Sequence, residues 1–148
     1  MAIRRAVRAD LEALRALQRR CHHRSWERSG WEREFERPNG LIWVVDEPGA
    51  AGFAGYLVVW RVLKTLEVVD LVVSPDCRRR GVATALLEML KSLGADSGTS
   101  RIALEVGENN RGAIEFYERC GFQRQGRLRE FYDDGEGAIR MIFALLDS

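Results

Sequence analysis

This 148-residue sequence has almost no net charge, few cysteines and no long apolar run, and each shortage removes a class of function. The formal charge is +1, so there is no general attraction to nucleic acid or to an anionic membrane surface, and no such partner is expected. Apolar runs are short; the one at 53–60 falls far below the roughly 20 residues that cross a bilayer. The start, Met1-Ala2-Ile3-Arg4-Arg5, has no apolar stretch after its charges, which points away from a secretory leader. Cysteine is odd in number (Cys21, Cys77 and Cys120), at spacings that match no zinc pattern and argue against a disulfide framework. His22 and His23 lack acidic or cysteine partners at metal spacing. The expectation is a cytoplasmic protein with reduced thiols and no metal. There is no internal repeat, low-complexity stretch or linker, so residues 1–148 are expected to form one domain.

What is present is globular: 46% hydrophobic and 30% charged residues, a balance that allows a core. Residues 3–7 read as a strand, and from Asp10 the spacing of Leu11, Leu14, Leu17 and Cys21 predicts a helix. The polar stretch 22–38 carries Trp26, Trp31 and Phe35, which suggests a short helix beside a surface groove. Strands are predicted at 41–45 and 53–62, joined by a turn with Pro48 and Gly49, and at 66–73. A helix starts near Gly81, with Val82, Ala83, Leu86, Leu87, Leu90 and Leu93 on one face. A strand at 101–106, a helix at 110–120 ended by Gly121, and strands at 122–128 and 138–145 complete the chain. The order implies a mixed sheet with helices on its faces, an α/β architecture.

The most informative segment is Leu71-Val72-Val73-Ser74-Pro75-Asp76-Cys77-Arg78-Arg79-Arg80-Gly81-Val82-Ala83-Thr84. An apolar strand stops, a basic loop follows, and an amphipathic helix opens at glycine. The first helical turn leaves N–H groups without intrahelical partners and carries partial positive charge, which suits a pyrophosphate. Gly81 permits close approach, Ala83 keeps the next position small, and Arg78, Arg79 and Arg80 add charge. The Lys-Ser/Thr of a P-loop and the three-glycine dinucleotide fingerprint are both missing, which disfavours a nucleoside triphosphate or NAD. A solvated basic turn is the plainer reading.

Several motifs in order make this sequence closely resemble the GNAT superfamily of N-acetyltransferases, and within it the RimI-type protein N-terminal acetyltransferases. They are Val73-Ser74-Pro75-Asp76 with Arg78-x-x-Gly81-x-Ala83, then Leu104-Glu105-Val106, Asn109-Asn110, and Ala113-Ile114-x-Phe116-Tyr117-x-x-x-Gly121-Phe122. Trp26 and the tail Arg129-Glu130-Phe131-Tyr132 with Ala138-Ile139-Arg140-Met141 resemble the narrower group. Ser25, Phe131 and Gly137 depart from it.

The resemblance implies a twisted, mostly antiparallel mixed sheet of about seven strands with about four helices, whose fourth and fifth strands splay apart to admit the pantetheine arm of acetyl-CoA. That arm would pair with the backbone of Leu71, Val72 and Val73, and the N–H groups from Arg79 to Thr84 would hold the pyrophosphate. Asn110 would contact or orient the pantetheine, and Trp26, Trp31 and Tyr132 would meet the acceptor.

In this reading Glu105 is the general base, acting directly or through water with its pKa raised by partial burial, and Tyr117 donates toward the departing sulfur. A backbone N–H near Val72 and Val73 would polarise the thioester carbonyl. Cys77 and Cys120 have no paired base and are read as non-catalytic. The acceptor is expected to be the N-terminal amine of a protein, and the enzyme a monomer or homodimer. A small-molecule amine, or a non-catalytic acyl-CoA-binding module, are the alternatives. Plainer roles stand beside these: Glu105 as a solvated strand end, Tyr117 and the tryptophans as packing, Asn109 and Asn110 as helix caps.

Overall fold

The computed structural model describes residues 2–21, 24–47 and 52–145. The elements are β1 (Ile3–Arg5), α1 (Leu11–Cys21), α2 (Arg28–Glu36), β2 (Gly40–Asp46), β3 (Phe53–Val62), β4 (Thr65–Val73), α3 (Val82–Asp96), β5 (Arg101–Gly107), α4 (Arg111–Arg119), β6 (Gln123–Leu128) and β7 (Ala138–Ala144), with short 3-10 turns at Arg8–Asp10 and Pro75–Cys77. The seven strands follow the order β1-β2-β3-β4-β5-β7-β6. Antiparallel pairs predominate, and β4 with β5 is parallel. The expected turn at Pro48 and Gly49, and the pair His22 and His23, lie outside the described residues. No helix among the described residues is long and apolar enough to cross a membrane.

The first strand is shorter than its apolar pattern suggests. Asp10 Oδ2 accepts the N–H of Val7 at 2.8 Å, closing the 3-10 turn and diverting that N–H from the sheet. Asp10 is in turn gripped by Arg4 of β1, at 3.0 and 3.1 Å. That guanidinium, more than any other influence, holds the Asp10 carboxyl below the usual carboxylate range.

The chain forms two compact units. One comprises Met1–Arg61 and Asp70–Met89, the other Val62–Val69 and Leu90–Ser148.

In the first unit, β2 pairs antiparallel with β1 (Arg4↔Val44) and with β3 (Val44↔Tyr56). β3 is buried continuously from Phe53 to Val59, so both of its faces are covered. Leu11, Leu14 and Leu17 form the buried stripe of α1, at the spacing the sequence predicts, and Trp31 of α2 is fully enclosed. Gly55 sets how closely the loop before α3 seats. A Cβ there would lie 2.7 Å from the Val72 carbonyl oxygen and 2.9 Å from Val82 Cγ1. Any side chain at position 55 would therefore push the first residue of α3 off the sheet.

In the second unit, β5 pairs parallel with the first half of β4, from Thr65↔Arg101 to Val68↔Leu104, and antiparallel with all of β7. Leu66, Val68, Ile102, Leu104 and Val106 are buried on one face of this ladder. With a period of two, Glu67 and Glu105 stand on the opposite face. Asn110 caps α4 by accepting the Ala113 N–H at 3.2 Å. At the other end of α4, Lys91 Nζ donates to the Cys120 carbonyl at 2.7 Å and sits 4.3 Å from the Phe143 ring centre. The edge strand β6 is exposed throughout. Its Arg124 and Arg127 pair with Glu118 and Glu108, a charged edge that discourages pairing with another chain.

Candidate active site

The basic loop reads out as a backbone device. After β4 the chain makes the Pro75–Cys77 turn, and Arg78, Arg79, Arg80 and Gly81 then run exposed into α3. Arg79 has φ 65° and Gly81 φ 76°, both in the left-handed region. An arginine in that conformation costs on the order of 1 kcal/mol, and strain of this kind gathers where backbone groups are aimed at a ligand. Among the described residues, nothing other than its chain neighbours lies within 4 Å of where a Cβ on Gly81 would stand, so the missing side chain leaves open space at the helix start. The N–H groups of Val82, Ala83 and Thr84 have no partners inside the helix and face that opening by helix geometry. Val82 itself is buried, with Cγ1 packed over Gly55, so it offers the site only its main chain. Leu71 and Val73 are half-buried and Val72 is buried. The neighbouring Cys77 thiol is buried, and burial above all pushes its pKa up, which removes it as a nucleophile.

In the same unit, a buried amide organises the two tryptophans. Gln18 of α1 is 1% exposed. Its Oε1 accepts the Trp26 main-chain N–H at 2.8 Å and the Trp31 indole N–H at 3.0 Å, while its Nε2 donates to Asp70 Oδ2 at 3.0 Å. The Tyr56 hydroxyl donates to the same Asp70 oxygen at 2.6 Å. Burial, reinforced by Asp70, drives the Tyr56 phenol far above its ordinary range, so it stays a donor. Trp26 and Trp31 pack with their rings tilted by 54° and centroids 4.7 Å apart, and Trp31 meets Tyr56 edge-on at 5.4 Å. Trp31 has no exposed surface and takes the packing role; the half-buried Trp26 is the one that keeps an accessible face.

In the second unit, Glu105 is the first residue of β5 beyond its ladder with β4, and its side chain is 22% exposed. It is ion-paired with Arg140, which stands directly opposite on β7. Tyr117 is half-buried on α4, edge-on to Phe116 at 5.3 Å and to Phe122 at 5.7 Å. Tyr132 packs edge-on against Phe131 at 5.0 Å, in a turn closed by its own N–H to the Glu136 carbonyl at 3.0 Å.

A model of the acetyltransferase (GNAT) family matches residues 11–122, more than half of the chain. The chain belongs to the GNAT acetyltransferases. Over 91 residues it is 36% identical to an N-alpha-acetyltransferase of Saccharolobus solfataricus, covering 61% of this chain and about half (54%) of that one. Over 129 residues it is 30% identical to the ribosomal protein bS18-alanine N-acetyltransferase of Salmonella typhimurium, covering 86% and 84% of the two chains. Among solved structures, the ribosomal-protein-S18-alanine N-acetyltransferase from Escherichia coli superposes with a TM-score of 0.89 at 27% identity, over 99% of this chain and 95% of that one.

As a GNAT enzyme the protein is an N-acetyltransferase that takes its acetyl group from acetyl-CoA. The mixed, mostly antiparallel seven-stranded sheet expected from the motifs is the fold observed. The strained loop with free helical N–H groups and three exposed arginines fits the diphosphate of that cofactor.

Four residues of these GNAT environments were given no role by the motif reading, although Arg140 stands inside the quoted tail: Gln18, Glu67, Asp70 and Arg140. Two left a signal. Gln18 interrupts the apolar face of α1, and Asp70 interrupts the valine-rich run of β4. A polar group in such a position demands a buried partner. Glu67 and Arg140 left none, because only strand register brings them together.

Proposed function

We propose that this GNAT enzyme acetylates the N-terminal α-amine of a protein, with residues 1–148 acting as one domain in the cytoplasm. The observation that carries the reading is that the candidate base, Glu105, is a carboxylate held in an ion pair rather than a stronger base. An α-amine has a pKa of about 7.7–8.0, so freeing its lone pair at pH 7 costs roughly 1 kcal/mol; a lysine amine at about 10.4 costs roughly 4.6 kcal/mol. A carboxylate, directly or through one water, suffices for the first task and is poorly matched to the second. Relatives that act on protein N-termini, such as the Salmonella alanine N-acetyltransferase, support the choice.

In this reading the roles divide between main chain and side chains. The main-chain N–H groups from Arg79 to Thr84 hold the diphosphate, with Arg78, Arg79 and Arg80 screening its charge. The backbone of Leu71, Val72 and Val73 pairs with the pantetheine arm, and an N–H of this stretch polarises the carbonyl. Asn110 spends its Oδ1 on the α4 cap and has its amide NH₂ left for the ligand. When bound, acetyl-CoA supplies the activated acetyl thioester. Glu105 takes the proton released as the amine attacks, and the Tyr117 hydroxyl donates toward the sulfur as it leaves. Trp26, supported by Gln18 and Trp31, and Tyr132 meet the acceptor.

The test is a thiol-release screen with three acceptor sets: peptides beginning with alanine or serine, the same peptides N-terminally blocked but carrying lysine, and free small amines. Turnover confined to the first set is the expected result. Preference for small amines would overturn the acceptor assignment while leaving the transferase chemistry intact.

A further inference from the structure

Glu67, Glu105 and Arg140 come from three adjacent strands and meet on one face of the second unit. Arg140 grips Glu67 with two nitrogens, Nη2 to Oε1 at 2.9 Å and Nη1 to Oε2 at 3.4 Å, and the same Nη1 reaches Glu105 Oε1. All three side chains are only 22–24% exposed. Register also places Arg101 on this face, where it donates to Thr65 Oγ1 at 3.1 Å, and the carboxylate of Glu136, in the turn before β7, lies over Gly107 at the end of β5. Two half-buried carboxylates thus share one cation.

We propose that Arg140 is a positioning residue for acetyl transfer: by bridging Glu67 and Glu105 it balances the charge of the two carboxylates and presents the second oxygen of Glu105, Oε2, to the proton it must take. The inference rests on Glu105 being the base. Without the bridge, two carboxylates close enough to touch the same nitrogen repel one another, and one of the pair takes up a proton at higher pH than an isolated carboxyl. A protonated Glu105 accepts nothing from the acceptor amine. The guanidinium's planar fork is what allows one side chain to serve both partners, and a lysine ammonium offers no such geometry. The Arg140 pKa is itself raised, chiefly by its bond to Glu67, so the bridging cation persists across the working pH range.

The experiment uses the intact protein and the variants R140M, R140K, E67Q, E105Q and R140M/E67Q. It compares kcat and kcat/KM against pH, acetyl-CoA affinity by calorimetry, and NMR titration of the glutamate carboxyl carbons in ligand-free protein. In R140M, kcat is expected to fall roughly 10- to 100-fold, with acetyl-CoA affinity unchanged and the acidic limb of the profile moved up by about one pH unit. The carboxyl resonances of Glu67 and Glu105 should titrate at correspondingly higher pH. R140K should lie between R140M and wild type.

Removing the repelling charge is the decisive step: R140M/E67Q should bring the acidic limb back toward wild type, a rescue that no loss of packing would produce. If R140M proves unfolded, R140K and E67Q carry the same comparison. A wild-type profile in R140M, or no rescue in R140M/E67Q, overturns the role of Arg140. An E105Q variant with wild-type turnover overturns instead the assignment of the base on which it rests.

Discussion

The loop at Arg78–Gly81 and the cluster of Glu67, Glu105 and Arg140 both manage charge, but by different means. In the proposed reading the loop holds its anion with main-chain N–H groups at a helix start beside two left-handed residues, and its arginines are exposed. The cluster works with side chains alone, half-buried and held in place by strand register. Backbone donors are deleted only by proline; any other substitution disturbs them only by altering conformation. Side-chain charges are removed one at a time, each removal leaving the others unbalanced. The loop should therefore tolerate changes among its arginines and resist few changes at Gly81, while the cluster should respond to every member.

The largest effect is expected at Gly81. A valine there faces a φ of 76°, which β-branched residues avoid, and its side chain fills the open space at the start of α3. Acetyl-CoA affinity measured by calorimetry should fall tenfold or more, about 1.4 kcal/mol, whereas alanine at Arg78 or Arg80 should weaken it far less and in a salt-dependent way. Normal affinity in Gly81→Val would remove the backbone reading. A smaller effect, confined to turnover, is expected for Tyr117→Phe. Its kcat should drop several-fold with the cofactor affinity unchanged, since a hydroxyl that only donates toward leaving sulfur contributes in the transition state; an unchanged kcat would take Tyr117 out of the chemistry.

The smallest effect concerns neither region and serves as a control for general electrostatics. Asp10 is held below the usual range by Arg4, so its ion pair contributes stability while the carboxyl is ionised, and that contribution fades as pH falls through the folded carboxyl's range. Asp10→Asn should melt slightly below wild type at pH 7; the gap should begin to narrow only below about pH 4, the ordinary carboxyl range, and close at still lower pH, beneath the depressed folded value. A gap that persists in acid would assign the difference to the Val7 cap rather than to charge.

The contrast between the two regions also explains what could be read from the chain. The loop is contiguous, so its glycine, arginines and flanking periodicities lie within one window, and the start of α3 fell one residue from where the pattern put it. Asn110 likewise caps the helix its position suggested. The cluster is assembled from residues up to 73 positions apart, and nothing near Arg140 announces that it opposes Glu105. Register is fixed by the whole ladder, not by local composition. Trp26 and Trp31 show a third limit. Both looked equally suited to packing or to a groove, and the buried amide of Gln18 on another helix assigns Trp31 to the interior. The short first strand has the same origin, since Asp10 outcompetes the sheet for one N–H.

The Gln18 amide ties the main chain at Trp26 to Asp70 on β4 through a single side chain. Of the two tryptophans bonded to it, Trp26 donates its main-chain N–H and Trp31 its indole N–H, so a shift of the Trp26 segment would disturb the hydrogen bonds that set the polarity around the Trp31 indole. With the acceptor docked at Trp26 as proposed, intrinsic tryptophan emission would change on its arrival, a label-free readout that touches no residue assigned to the chemistry.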